Sequence, residues 1–452
     1  MNETRELAQF AEELKYEDLP REVIDKTKNL ILDLLGSQLA TSTMPWNKVI
    51  YEYVKDWGDG ADSTIVYYGD KTKVENAAFA NATFGHGFEI DDVHYLSMSH
   101  PGCVVIPAAL ALGEKELITG KELILAVVLG YEVMCRVGRS VAPSCGLRGF
   151  HPTSVPGPFG AAAAAGKILG FDTEGMLNAL GIAGSHCAGI MAYGQGGGSV
   201  KRVHAGIASQ GGLRAALLAQ RGITGPPIVL EAEHGFCKAF SDEYSLEKIT
   251  ANLGKEFIVP EVSYKPYCCC GAIHAPIEAV SKITKEHRIE PDKIEEIFVG
   301  TNRVAIHHVG IIREPKDVLG AQFSLPFSLA LTLIKGSNSL KDYSEENLKD
   351  AELLSLAGKV RIEIDKEANT VYPLKRGDLV TIKLKNGTSY QERVYYPKGW
   401  PENPMTKEEL EDKFRGLASV VLPEDRVEEI IKVVNRLEDV GEVCTLMGLL
   451  IR

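Results

Sequence analysis

The sequence predicts a mainly α protein: a large all-helical domain into which a smaller α+β domain is inserted. Three observations predict it. Apolar residues recur at helical spacing through the first half, β-rich segments appear only after about residue 260, and helical patterning returns after residue 397.

In the first half, Leu7, Phe10, Ala11 and Leu14 fall on one helical face. After the break at Leu19-Pro20, Val23, Leu30, Ile31, Leu34 and Leu35 do the same. The stretches Glu122–Val137, Ala161–Leu169, Met176–Ala183 and Ala205–Arg221 are rich in Ala, Leu and Gly. Small residues let helix axes approach closely, so these segments predict a tightly packed helical body.

The strands come next. Ile294–Thr301, Val360–Ile364, Leu379–Leu384 and Tyr390–Tyr396 alternate or run in β-branched residues, and Asn386-Gly387 is a hairpin turn between the last two. Helices predicted at His274–Lys285 and Ser324–Ile334 interleave with them. Beyond Pro397, Thr406 and Glu409 are spaced as a capping box ahead of Leu410 and Phe414. The expected division is therefore 1–263 with 398–452 as the helical domain and 264–397 as the α+β domain.

Length and composition agree with two domains. A 452-residue chain exceeds what one core supports, and 45% hydrophobic with 24% charged residues supplies ample apolar surface. The 49 basic against 61 acidic residues, a net charge of −12, argue against nucleic acid or an anionic membrane as partner. An anionic small molecule stays possible, because the field inside a cleft is set by the nearest charges. The polar N-terminus Met1–Glu6 lacks the apolar core of a signal peptide, so a cytoplasmic location is expected. Nine cysteines then read as reduced thiols.

Four polar segments are candidates for chemistry. The densest, His86–His94 followed by His100-Pro101-Gly102, holds three acids and three histidines within fifteen residues. There the acids either orient the histidines and set their protonation or are surface ions. The second, Arg148–Ser154, places His151 in a loop before a helix, where backbone donors favour an anion; a hydrogen-bonded loop histidine is the alternative. The third, Gly194–His204, lacks phosphate-loop spacing and reads as a turn that delivers Lys201, Arg202 and His204 to a helix start. Lys201 and His204, three apart, would share a face.

The fourth segment, Tyr264–His274, lies where the helical body gives way to the insertion, and a hinge of this kind is a common place for a ligand cleft. Ala321–Pro326 either adds polar contacts there or begins a helix. Cys268-Cys269-Cys270 has no second cysteine pair at zinc spacing and reads as buried inert thiols. Without metal, dinucleotide or nucleophile-elbow motifs, no metal or cofactor is expected, and the chemistry left is proton transfer.

Together FEIDDVH…HPG, FHPTSVPGPFGAAAAAGKILG, GGGSVKRVHAG, YKPYCCC…H and AQFSLPFSLA, in this order, resemble the MmgE/PrpD family over about residues 80–400. The resemblance implies a helical large domain, an α+β lid, a homodimer, and catalysis without metal or organic cofactor. Its members include dehydratases, decarboxylases and epimerases of small polycarboxylic acids. It places catalytic roles on His100, His151, Asp92 and Glu89, and substrate binding on Lys201 and Lys265, with His274 and Gln322 as further candidates.

Lys201 and Lys265 are expected to clamp carboxylate oxygens, His100 and His151 to act as base and acid, and Asp92 or Glu89 to hold one imidazole. Decarboxylase-type members carry a histidine at Cys270 or a neighbour, and Glu89 stands where Asp is frequent. Dehydration of a 2-methylcitrate-like substrate is therefore the first expectation. Decarboxylation or epimerisation of a cis-aconitate- or iminodisuccinate-like acid is the second, and a non-catalytic small-molecule-binding homologue the third.

Overall fold

The computed structural model describes residues 2–452, and the chain divides into two compact units. The first comprises the chain up to Gly87, Asp91–Ser263 and Thr406–Arg452; the second comprises Phe88–Ile90 and Tyr264–Met405. The protein is mainly α, with one four-stranded mixed sheet and one two-stranded ladder.

In the first unit the helix Val200–Gln220 packs against the helices Val74–Gly85, Gly157–Ile168 and Thr173–Ala183. Glycine allows the close approach. A Cβ on Gly212 would lie 2.3 Å from the Pro158 carbonyl oxygen, and one on Gly206 would lie 2.3 Å from Thr83 Oγ1. The Ala-rich helix Gly157–Ile168 packs in turn on Gly120–Val141, where a Cβ on Gly160 would meet Met134 Cβ at 2.6 Å. Because real Cβ contacts stay beyond 3.0 Å, these helices interlock backbone to backbone.

Local signals fix the helix ends. Thr119 and Glu122 close a capping box on Gly120–Val141, and Asp172 caps Thr173–Ala183. Gly197 and Gly198, at φ +72° and +101°, make the left-handed turn that admits Val200–Gln220. The helix Lys407–Ala418, with its Thr406–Glu409 box, packs on Arg21–Thr41.

In the second unit the strands β3 (Ile294–Thr301), β4 (Val360–Ile364), β5 (Asp378–Leu384) and β6 (Ser389–Val394) form a sheet in the order β4-β3-β5-β6. The ladder β1 (Ser63–Thr64) and β2 (Lys71–Thr72) belongs to the first unit. β3 pairs parallel with β4 and antiparallel with β5, and β5 turns into β6 through Asn386-Gly387, with Gly387 at φ +87°. The helix His274–His287 covers β5 and β6, and Leu325–Lys335, capped by Ser324, packs on it.

The second unit runs to Met405, past the expected boundary at 397, for a hydrogen-bonding reason. Gly399 O accepts from Tyr264 N, Asn403 Nδ2 donates to Tyr396 O, and Trp400 is buried. The Pro397-Lys398-Gly399-Trp400-Pro401 turn is thus part of that unit's own core. Among the described residues, no helix is long and apolar enough to cross a membrane.

Candidate active site

The first unit gathers His86, His100, His151, His204 and Lys201 in one cluster. His86 caps the C-terminal end of Val74–Gly85, its N–H donating to Ala82 O. The turn after it is held by Arg202, whose Nε donates to Gly87 O at 2.9 Å while its guanidinium lies 3.9 Å from the centre of the Trp46 ring. His100 sits just ahead of the helix Gly102–Glu116, its N–H on Thr153 Oγ1. His151 occupies the loop before Gly157–Ile168, and Lys201 and His204 the first turns of Val200–Gln220. The rings of His86 and His100 are 5.1 Å apart, those of His86 and His151 5.9 Å, and those of His151 and His204 5.1 Å.

Hydrogen bonds set the tautomers. His86 Nδ1 lies 2.7 Å from Asp91 Oδ2, so this nitrogen carries hydrogen toward the carboxylate and Nε2 is left to accept from Lys201 Nζ at 3.2 Å. His100 Nδ1 lies 2.6 Å from the Asp92 carbonyl oxygen, which can only accept, so its hydrogen is on Nδ1 and Nε2 is basic. Asp91 Oδ2 also lies 3.5 Å from His100 Nδ1, so the carboxylate that bonds His86 stands beside a second imidazole.

The carboxylate that holds an imidazole is therefore Asp91, in place of the expected Asp92 or Glu89. Asp92 is occupied otherwise: Tyr131 Oη donates to it at 2.6 Å and Gly102 N at 3.0 Å. Burial pushes its carboxyl up to about 7, reinforced by Asp91, with the Tyr131 bond opposing.

Burial also pushes His151 well below the ordinary histidine range, and Lys201, His86, His204 and His100 all lower it further. His204 falls to about 4, by burial first and then by His86 and Lys201. Burial and the neighbouring groups thus favour the neutral forms of His151 and His204.

His86, Asp91 and Cys103 bring a ring nitrogen, a carboxylate oxygen and a thiol within 4.8 Å of one another. These donors do not suit an ion as they stand. Ligand atoms on one tetrahedral ion sit about 3.4 Å apart, whereas His86 and Asp91 make a 2.7 Å hydrogen bond. Burial, with Asp91 and Asp92, pushes the Cys103 thiol up and away from the thiolate a metal needs.

The second unit holds the other four expected residues. Lys265 Nζ donates to Glu89 Oε2 at 3.0 Å, both buried and Glu89 at φ +55°. Gln322 Nε2 donates to Phe88 O and Cys268 O, and Cys270 N donates to Gln322 O, so this side chain and its backbone tie two segments together. His274 Nε2 bonds Cys269 O, with its ring edge-on to Tyr267. The three adjacent cysteines form no disulfide with one another, and burial raises the thiols of Cys269 and Cys270.

Sequence reasoning left His86, Asp91 and His204 out of the site residues although all three lie in the polar segments it singled out. The spacing His86…Asp91 inside the densest segment was the available signal. Tyr131 gave none, being one aromatic within the apolar helix Gly120–Val141.

Residues 5–248 match the MmgE/PrpD N-terminal domain, and residues 267–439 match the MmgE/PrpD C-terminal domain. The chain is similar to cis-aconitate decarboxylase of Aspergillus terreus (strain NIH 2624 / FGSC A1156), 32% identical across 99% of this chain and 95% of that protein. It is 28% identical to cis-aconitate decarboxylase of Homo sapiens, across 97% and 92%. To the mitochondrial 2-methylcitrate dehydratase of Yarrowia lipolytica it is 25% identical, across only 51% and 46%. With domain models matched on both halves and a 32%-identical relative covered almost end to end, this chain belongs to the MmgE/PrpD family.

Proposed function

We propose that this protein is a lyase acting on a small tricarboxylic acid, and that its reaction is decarboxylation of a cis-aconitate-like substrate. One observation carries the reading: four histidines cluster around Lys201, three of them buried, and burial with the neighbouring Lys201 and His86 lowers both His151 and His204. Such a cluster favours an arriving polyanion, because carboxylates restore the charge balance and raise the histidines back toward protonation. The near-complete coverage of decarboxylase relatives, against half-length coverage of the dehydratase, supports decarboxylation over the dehydration first expected.

In this reading the bond between a methylene carbon and its carboxylate breaks and carbon dioxide leaves. The electron pair forms a new C=C, the old double bond's pair moves to the carbon beside the far carboxylate, and a proton adds there. Charge develops on that far carboxylate. Lys201, oriented by His86 and Asp91, is assigned to stabilise it, and His100 or His151 to deliver the proton.

Dehydration of a hydroxy-tricarboxylate remains the second reading. It is favoured by the resemblance, which implies a histidine in decarboxylase-type members at Cys270 or a neighbour, where this chain has cysteine. Purified protein offered cis-aconitate, citrate, methylcitrate and chiral amino-dicarboxylates separates the readings by product NMR. Carbon dioxide release from cis-aconitate is the expected outcome; loss of water from methylcitrate with no carbon dioxide from cis-aconitate would replace it by the second reading.

A further inference from the structure

His151 and His204 face each other through the same atom. Their Nδ1 nitrogens are 3.1 Å apart, and both residues are 4% exposed. Two ring nitrogens at that distance hold one hydrogen between them: one nitrogen donates and the other presents its lone pair. Two hydrogens would collide, and none would set two lone pairs against each other. The pair therefore exists in two arrangements. When His151 carries hydrogen on Nδ1, its Nε2 is a base; when His204 carries the shared hydrogen, His151 carries its own on Nε2 and is an acid.

The surroundings hold this geometry. His151 N donates to Gly189 O at 3.0 Å, and Ser154 Oγ donates to the His204 carbonyl oxygen at 3.3 Å. Gly189, at φ +112°, leaves room that a side chain would fill, since a Cβ there would lie 2.8 Å from Ser154 Oγ and 3.4 Å from His204 Nδ1. The Tyr193 ring stands edge-on to both imidazoles, at 5.5 and 5.9 Å. Besides Tyr193 and each other, the titratable groups that act on the two rings are His86 and Lys201 at His204, and Lys201, His86 and His100 at His151. Each of these groups lowers the ring it faces, so protonation of both rings together is opposed.

We propose that His204 is the positioning partner of His151 and that the two rings move one proton as a unit, so that His151 serves as acid or base without either ring gaining charge. The step balances. As His151 Nε2–H passes to the substrate carbon, the His204 Nδ1–H passes to His151 Nδ1, and His204 Nε2 takes a proton from a protonated water. One proton crosses the pair, and both tautomers invert. The role in turnover rests on the lyase reading above; the pairing itself does not.

The test uses the full-length protein labelled with 15N-histidine, without substrate. Long-range 1H–15N spectra read the tautomer of each ring, with His151 and His204 assigned from His151→Gln and His204→Gln variants. Opposite tautomers in the wild type are expected, along with a change at both His151 ring nitrogens in His204→Phe. Matching tautomers, or a His151 ring unchanged by His204→Phe, would overturn the proposal even if no variant were active. For turnover, His204→Phe should lower kcat at least tenfold with KM within twofold, and added imidazole should restore part of it in His204→Gly. A wild-type protein inactive on every polycarboxylate, with opposite tautomers still seen, would remove the lyase reading and leave the pairing standing. Unchanged kcat in His204→Phe would remove the relay.

Discussion

Lys201 Nζ donates to His86 Nε2 across 3.2 Å, and both side chains are buried. The bond is possible only because Asp91 claims the hydrogen on the opposite ring nitrogen, at 2.7 Å. Asp91, His86 and Lys201 thus form a line in which a carboxylate selects a tautomer, the tautomer offers a lone pair, and the lone pair orients Lys201 Nζ.

Replacing Lys201 by Ala should lower kcat/KM by ~10²-fold or more, the usual cost of losing a donor aimed at developing charge. The fold should persist, since the helix Val200–Gln220 is held by packing on four other helices, Gly102–Glu116 among them. Steady-state kinetics beside circular dichroism decide it. Normal turnover in a folded variant would take Lys201 out of the chemistry.

Asp92 makes a prediction about stability and pH. Its folded-state carboxyl titrates near 7 against an ordinary 3.8, so between about pH 4 and 7 the folded chain keeps a proton that the unfolded chain has lost. Its contribution to stability therefore falls as pH rises through that window. His151 and His204, lowered from 6.5, act in the opposite sense: below that value the unfolded chain binds more protons, and stability drops with acid. Asp92→Asn cannot titrate. The wild type's advantage in Tm over this variant should shrink from about pH 4 to 7 and level off above that, and a difference independent of pH would show that Asp92 holds no proton in the folded state.

Where the sequence was legible, the reason was periodicity. β3 and β4 fall on Ile294–Thr301 and Val360–Ile364 as the β-branched runs indicate, and the Thr406–Glu409 capping box is formed. Helix ends were less legible: Val200–Gln220 begins five residues ahead of the Ala-rich stretch at Ala205, because Lys201, Arg202 and His204 are buried polar residues that interrupt the apolar pattern. For the same reason the site was read by segment and not by partner. Spacing marks His86 through His94 as dense in acids and imidazoles, but which of Glu89, Asp91 and Asp92 meets which ring depends on backbone turns, including the positive φ of Glu89.

Polyanion binding should carry protons with it. A tricarboxylate beside His151 and His204 favours their charged forms, because burial and the neighbouring Lys201 and His86 hold both below the ordinary histidine range in the free protein. Calorimetric titration of cis-aconitate or citrate at pH 7 in two buffers of different ionisation enthalpy measures this. Uptake of roughly one proton per site is expected. Equal heats in both buffers would mean that the histidines do not respond to the ligand.

Two glycines inside helices should respond to the same substitution with opposite signs. Gly416 lies within Lys407–Ala418, and a Cβ there would meet nothing within 4 Å, so Gly416→Ala should stabilise by about 0.5–1 kcal/mol through helix propensity alone. Gly212 gains the same propensity, but its new methyl would lie 2.3 Å from Pro158 O and 2.6 Å from Ala161 Cβ. Overpacking of this kind costs about 1–3 kcal/mol, so Gly212→Ala should be the less stable protein. The clash also pushes on the helix that carries Lys201 and His204, and a displacement of about 1 Å in positioned groups can cost ~10²-fold in rate. Urea unfolding and kcat on the two variants separate the effects: Gly416→Ala should gain stability at unchanged kcat, and Gly212→Ala should lose both. Equal stabilities would mean that the two helices can part at Gly212 without cost, and that backbone contact there does not set the position of Lys201.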